Sequence, residues 1–421
     1  MEKAKRKGQS RREFIAGSAV LGSVLAPGIA SGATLDLPPP PAGVKKLKIT
    51  KVEATYLVKP LKERFWMSLA PIGGYEPKAT RLILYVHTDQ GIVGVAEGSG
   101  GAAGVLRKGF ADLIVGEDPQ EVERLWQKMF DVTVSRQSAI RGWEHDGVLA
   151  AIAVLDAALW DIMARTAGLP LYKFLGGANK GIDCYVTGCY YREGTGEKEL
   201  VEEVEMYVKM GYRALKIKTG GVPVDEDVRR ARLVRKTVGK DFRLMMDSNR
   251  GWSLRQAIEA SRKLADLDFT WLEEPLHWYD DVQGLVRLKK DCPIPLASGE
   301  NELTRYGARR LLETGAIDFM QFDCQKTCGP TEWLKVASMA AASDVWMAPH
   351  HEPQLHGHLM AAIPNAYILE SFGHRERDPF WFELYTRKPE IRESKLWLLE
   401  EPGIGVEFDK SVIQKYGSKI L

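Results

Sequence analysis

The chain has five cysteines, Cys184, Cys189, Cys292, Cys324 and Cys328, and no CxxC pair among its 421 residues. An odd count without that spacing argues against a disulfide framework and leaves buried, reduced thiols as the expectation. Beyond the first 33 residues no apolar run reads as long enough to cross a bilayer. Low-complexity sequence is confined to Pro38–Pro41. Basic excess is also missing where a nucleic acid would need it. The formal net charge is +2, but residues 1–33 hold six Lys/Arg against two Asp/Glu, leaving 52 against 54 in the rest. That balance excludes a nucleic-acid footprint.

The front segment reads as an address rather than as fold. Ser10-Arg11-Arg12-Glu13-Phe14-Ile15 precedes a mildly apolar stretch, Ala16 to Ile29, and small residues through Ala33. It resembles a bacterial twin-arginine export signal, which implies a signal peptide over 1–33, cleavage near Ala33 and a periplasmic protein free of the membrane afterwards. The run is too short and too rich in Gly and Ala to span a bilayer. That export route carries already folded proteins, which suits reduced thiols. The prolines then make 34–45 a stiff linker.

From Lys46 the pattern is a meander of antiparallel strands: LKITKVEATYLV, ATRLILYVHT and IVGVAEG, with a turn at Asp89-Gln90-Gly91. Helical periodicity follows in Val105–Leu113, Pro119–Phe130 and most strongly Val148–Ala167, which Gly168 and Pro170 end. Residues 46–178 are therefore expected to form an α+β domain. From 179 to 374 eight apolar strand signals alternate with seven helical ones, the pattern of a parallel (β/α)7β TIM-like barrel. An open doubly wound sheet is the alternative, but no Gly-rich phosphate turn follows the first strand. Residues 375–421 return to irregular and strand-like sequence and are expected to pack back on the first domain.

Active-site groups of such a barrel sit at the C-terminal ends of its strands. Those ends read Lys216 and Lys218, Asp247, Glu273, Glu300, Asp323, His350 and Glu370, every one ionisable. Asp247, Glu273 and Glu300 recur at gaps of 26 and 27 residues, one strand-plus-helix unit apart. Three carboxylates converging on one mouth repel unless a cation holds them, and hard cations such as Mg2+ prefer carboxylate oxygens. Lys216 and Lys218 share a strand face, where crowding by like charge and a metal lowers a lysine pKa toward that of a general base. Asp323 and His350 end neighbouring strands, so a carboxylate can set the imidazole tautomer.

These motifs in order, Lys216-x-Lys218, Asp247-x-Asn249, Glu273-Glu274-Pro275, Gly299-Glu300-Asn301, Asp323, His350 and Glu370, strongly resemble the mandelate racemase group of the enolase superfamily. The resemblance covers essentially the whole mature chain, including the helix AIAVLDAALWDIMARTAGLPLYKFLGG. It implies one Mg2+ held by Asp247, Glu273 and Glu300. It implies Lys218 as one base with Lys216 beside it, the His350–Asp323 pair as the other, and Glu370 hydrogen-bonding the substrate carboxylate. It also implies an N-terminal capping domain that closes the mouth, and a homo-oligomer.

The implied chemistry is abstraction of the α-proton of a 2-hydroxy carboxylate, with Mg2+, Lys216 and a protonated Glu370 supporting the enediolate. If the second base returns a proton to carbon, the enzyme racemises or epimerises. If it protonates a β-hydroxyl, water leaves and a 2-keto-3-deoxy acid forms. Polar loop residues beyond the strand ends, Tyr190, Tyr191, Arg192, Arg250, His277, Gln325, Lys326, His351 and Glu352, suit a polyhydroxylated sugar acid, so dehydration is the leading expectation. Asn249 and His351 are candidate substrate contacts, and Arg64, Phe65, Trp66 and Tyr75 are candidates for the lid. An exported protein that binds acid sugars without turnover is the reading from another class; the presence of Lys218, His350 and Asp323 counts against it.

Overall fold

The computed structural model describes residues 46–68, 77–134, 137–277 and 281–421. The first three cap strands form as the alternation predicts: Ile49–Pro60, Lys78–Thr88 and Val93–Gly98, antiparallel in that order. A fourth strand, Gly417–Lys419, comes from the far end of the chain and pairs with Ile49–Pro60. The expected helix over Val105–Leu113 splits at Gly109, whose φ of 83° no ordinary helical residue adopts. Helix Ala103–Arg107 precedes the break and a 3-10 turn, Phe110–Leu113, follows it.

Helix His145–Thr166 corrects one expectation. Its 22 residues are long and apolar enough to cross a membrane, yet 89% of its most apolar stretch is buried within the protein. It is apolar on nearly every face because the cap sheet packs on one side and barrel helix Gly329–Ala342 on another.

The barrel has eight parallel strands: Gly181–Gly188, Ala214–Lys218, Arg243–Asp247, Phe269–Glu273, Leu296–Ser298, Phe319–Met320, Trp346–Met347 and Leu369–Phe372. Each pairs with the next through the seventh, a bridge from Met347 to Ala366 joins the seventh to the eighth, and the eighth returns to the first. Among the described residues seven helices connect them, so the barrel is (β/α)7β. Its interior is plugged by Tyr185, Ala214, Met245, Trp271, Ala297, Phe319, Ala348 and Ile368. Side chains alternate with period two, so the residues two positions further on, among them Thr187, Lys216, Asp247, Glu273, His350 and Glu370, lie on the same inward face one layer higher. The apolar plug is thus the floor of the charged layer.

Beyond 375 the chain serves both halves. The hairpin Glu390–Arg392 and Lys395–Trp397 adds antiparallel to the first barrel strand, whereas Ile404 and the last strand bond to cap residues Asp161 and Ile49–Pro60.

Candidate active site

Strand register brings the first ionisable groups to one level: Lys218 is paired with Asp247, and Asp247 with Glu273. Glu300, Asp323 and His350 follow the ends of the fifth, sixth and seventh strands, and Glu370 lies within the eighth. All eight are buried. The Lys216 ammonium is 2.7 Å from Glu273 Oε1, 3.1 Å from Glu370 Oε1 and 3.8 Å from Asp247 Oδ2. The Lys218 ammonium bonds to Asp247 Oδ2 and lies 3.0 Å from Asn249 Oδ1.

Oxygens of Asp247, Glu273 and Glu300 all fall within 4.8 Å of one another. Burial, and then the charge of Asp247, pushes Glu273 well above the usual carboxylate range. Burial pushes Glu300 up too, but Lys326, Lys216 and Lys218 outweigh it and hold Glu300 down at about 2. Glu300 is therefore ionised, and its buried Oε2 has no hydrogen-bond partner. An orphaned anionic oxygen beside two other carboxylates is a donor set that fits a hard divalent cation. His350, His351 and Glu370 form a second close group beside it.

His350 Nδ1 lies 2.7 Å from Asp323 Oδ2, and its Nε2 lies 3.5 Å from Glu300 Oε2. Burial, reinforced by His351 and Lys326, holds His350 well below the usual imidazole range, so it is neutral. The proton then sits on Nδ1 against the carboxylate, and the Nε2 lone pair is left for a substrate proton. Burial pushes Asp323 up to about 7 although Lys326 pulls it down, and the Gln325 N–H at 2.8 Å also steadies its charge.

Two electrostatic expectations change. Burial lowers Lys218, but Asp247 and Tyr190 outweigh it, so the protein's own groups hold the ammonium above its usual range rather than below it. Glu370 is a carboxylate and not the neutral acid expected. Burial raises it, yet the Lys216 ammonium outweighs that and takes it well below the usual range. Its oxygens accept from the Thr187 hydroxyl and from the His351 N–H at 2.7 Å.

Lys218, Asn249, Glu300, Asp323, Gln325, Lys326, His350, His351 and Glu352 open on one cavity of about 260 Å3. Tyr190 closes a side of it, with the Lys218 ammonium 5.2 Å and the Arg377 guanidinium 4.6 Å from its ring centre. Asn249, His351 and Glu352 reach the mouth from backbones at φ of 38°, 55° and 46°, strained positions costing about 1–3 kcal/mol each.

Among the described residues the cap contributes Met67, Thr80, Arg81 and Gly98–Gly100, and not Arg64, Phe65 or Trp66. Phe65–Trp66 instead pair as a short strand with Tyr191–Arg192. Phe65 meets Tyr190 edge-on and Trp66 stacks on Tyr191. The segment is held by Ser68, whose hydroxyl donates to Asn249 O at 2.8 Å, where a Cβ on Gly251 would lie 2.4 Å from that of Ser68. Arg64 is half-buried and does not line the cavity; Tyr75 lies outside the described residues. Among the other rim candidates, Tyr191 turns away to Asp227, Arg192 to Glu63 and Glu203, and Arg250 to Glu274. Arg81 was missed because a charge three residues after Lys78 in KATRLILYVHT looks like an ordinary solvated strand residue; the available signal was the apolar run Leu82–Leu84 that follows it directly.

Comparison with known proteins agrees with this architecture. Residues 57–176 match the mandelate racemase / muconate lactonizing enzyme N-terminal domain, and residues 199–412 match the enolase C-terminal domain-like family. Arabinonate dehydratase of Saccharolobus solfataricus is 31% identical over 343 residues, covering 79% of this chain and 90% of that protein. The crystal structure of a mandelate racemase/muconate lactonizing enzyme from a marine actinobacterium in complex with magnesium is 32% identical. It superposes with a TM-score of 0.79 over 88% of this chain and 99% of that one. L-talarate/galactarate dehydratase of Salmonella typhimurium, liganded with Mg and L-lyxarohydroxamate, is 27% identical with a TM-score of 0.78, covering 89% and 94%. With both of its halves matched, the chain belongs to the mandelate racemase/muconate lactonizing enzyme family of the enolase superfamily.

Proposed function

We propose that this protein is a Mg2+-dependent dehydratase of a sugar acid, which removes the α-proton of a 2-hydroxy carboxylate and expels the β-hydroxyl as water. The observation that carries this reading is that Lys218 and the His350–Asp323 pair line one cavity together with Thr80, Arg81, Ser99, Asn249, Gln325 and Glu352. Lys218 is on the second barrel strand and His350 follows the seventh, so they approach a bound molecule from different sides. One takes the α-proton; the other hands a proton to the departing hydroxyl. Asp323 keeps His350 in the tautomer that accepts at Nε2. Lys216, fixed between Glu273 and Glu370, supplies permanent positive charge beneath the reacting carboxylate. Asp247, Glu273 and Glu300 would hold Mg2+, which when bound supplies Lewis-acid stabilisation of the enediolate. The dehydratase names of the similar proteins and the magnesium in their structures support the same reading.

The test is proton NMR in D2O on the purified protein with Mg2+ and a panel of sugar acids and aryl 2-hydroxy acids. Loss of the α-proton signal with a 2-keto-3-deoxy product is the expected result. Exchange with a mixed or inverted centre and no water loss would make it a racemase; binding without exchange would make it a binding protein.

We also propose that residues 1–33 direct export by the twin-arginine route, on the strength of Arg11-Arg12 and the apolar stretch after them. Replacing both arginines by lysine should retain a reporter fusion in the cytoplasm; unchanged export would sink the proposal.

A further inference from the structure

Building on the dehydratase reading, we infer that the substrate carries one carboxylate and not two: an aldonic rather than an aldaric acid, its uncharged polyol end read by Arg81 and Glu352. The cap side of the cavity is lined by Thr80, Arg81 and Ser99, with Glu352 and Arg377 beside them. A single guanidinium there answers to two carboxylates. Arg81 Nε is 2.6 Å from Glu97 Oε1. Glu97 Oε2 accepts from the Tyr385 hydroxyl and, at 2.8 Å, from Gln354 Nε2. The same Nε2 donates at 2.8 Å to Glu352 Oε2, so Glu97 and Glu352 are bridged by one amide. Arg377 is matched in turn by Asp378, 2.5 Å away.

Of the charged groups that line this side of the cavity or bond to its lining, Arg81 and Arg377 face Glu97, Glu352 and Asp378; Lys388, which also feels Glu97, donates to Trp381 O and does not line the cavity. Lys326 serves the opposite end, 3.7 Å from Glu300. Burial, and then the charge of Glu352, pushes Glu97 up to about 7, so the two carboxylates bridged by Gln354 already repel one another. A second substrate carboxylate would have to enter next to it. A hydroxyl differs because it both donates and accepts. It can give its proton to Glu352 and receive from Arg81 or Arg377, leaving nothing unpaired. Like charges brought together in a buried interface cost several kcal/mol, about 100-fold or more in affinity.

The experiment compares sugar acids matched in every centre and differing only at the terminal carbon, such as gluconate with glucarate and galactonate with galactarate, at about pH 8 with Mg2+. Both α-proton loss and calorimetric binding are read, on the wild type and on Glu352→Gln, whose side chain keeps the shape and whose melting temperature checks the fold. The expected result is a preference of about 100-fold for the mono-acid in each bound pair, narrowed about tenfold in Glu352→Gln through better handling of the diacid. Diacids bound or turned over as well as mono-acids would overturn the inference, as would an unmoved ratio in Glu352→Gln. Selective mono-acid binding without any α-proton loss would uphold it while overturning the dehydratase reading. Failure of every mono-acid to bind would overturn both.

Discussion

The indole N–H of Trp271 donates to Glu273 Oε2 at 3.0 Å, from two positions earlier on the same strand face. Lys216 holds the other oxygen at 2.7 Å, so both oxygens of this proposed ligand are oriented by the protein. Trp271 is itself fully buried, packed against Tyr185 and Phe319 in the barrel plug. The apolar floor therefore aims the charged layer above it. Trp271→Phe removes the donor while leaving an aromatic ring in place. Outer donors of this kind are worth about 10- to 100-fold in metal affinity, so calorimetric titration with Mg2+ should show binding weakened by at least about tenfold. Equal affinity in the variant would mean that Lys216 alone fixes Glu273.

What could be read from the sequence follows from what the chain repeats. The barrel strands carry an apolar run, an inward ionisable residue and then a helix, so both the fold and the eight residues at the strand ends were legible. The cap side of the cavity repeats nothing. Arg81 and Glu97 come from two adjacent cap strands, Gln354 from a barrel helix and Tyr385 from the tail, and only tertiary contact unites them. Phe65 and Trp66 suggest a lid because they are aromatics in a Gly- and Pro-containing segment; that their rings rest on Tyr190 and Tyr191 is a tertiary contact which no spacing announces. The ionisation of Glu370 was hidden as well, since it depends on Lys216 reaching it from another strand, 3.1 Å away.

Glu97 makes stability fall as pH rises. Burial and Glu352 place its folded pKa at about 7, above the ordinary carboxylate value of 4.5. Its contribution is complete below the unfolded pKa and is lost as pH climbs from about 4.5 through about 7, with an upper bound of about 3 kcal/mol. Glu97→Gln should lower the melting temperature at acid pH yet flatten its decline between about pH 5 and pH 8. A constant offset between the two proteins across that range would show that Glu97 titrates normally.

Asp161 ties three segments together by accepting from the Val95 N–H at 2.8 Å, the Ile404 N–H at 2.6 Å and Arg165 Nε at 2.5 Å. Gly403 lets the tail approach it: its φ is 84°, and a Cβ there would lie 2.1 Å from Asp161 Oδ1. Asp161→Ala leaves two backbone donors unsatisfied and Gly403→Ala drives the tail off, so each should cost at least about 2 kcal/mol in urea unfolding. Since both break one contact, the double variant should lose less than the sum of the two. Strict additivity would separate the two residues.

Lys218→Ala and His350→Asn separate the two proton transfers. Loss of either group should slow dehydration by about 10²- to 10⁴-fold. The two variants should nonetheless differ in D2O. The one lacking the group that takes the α-proton cannot exchange it, whereas the one lacking the group that serves the departing hydroxyl can still wash deuterium into the α-position without losing water. Asp323→Asn should follow His350→Asn in kind, because His350 Nδ1, 2.7 Å from Asp323, would lose the carboxylate that fixes its tautomer. Rates of α-proton exchange and product formation, measured on the same sample, therefore assign acid and base separately. Full dehydration surviving in either Lys218→Ala or His350→Asn would refute a two-residue mechanism and leave the remaining group to act on both carbons.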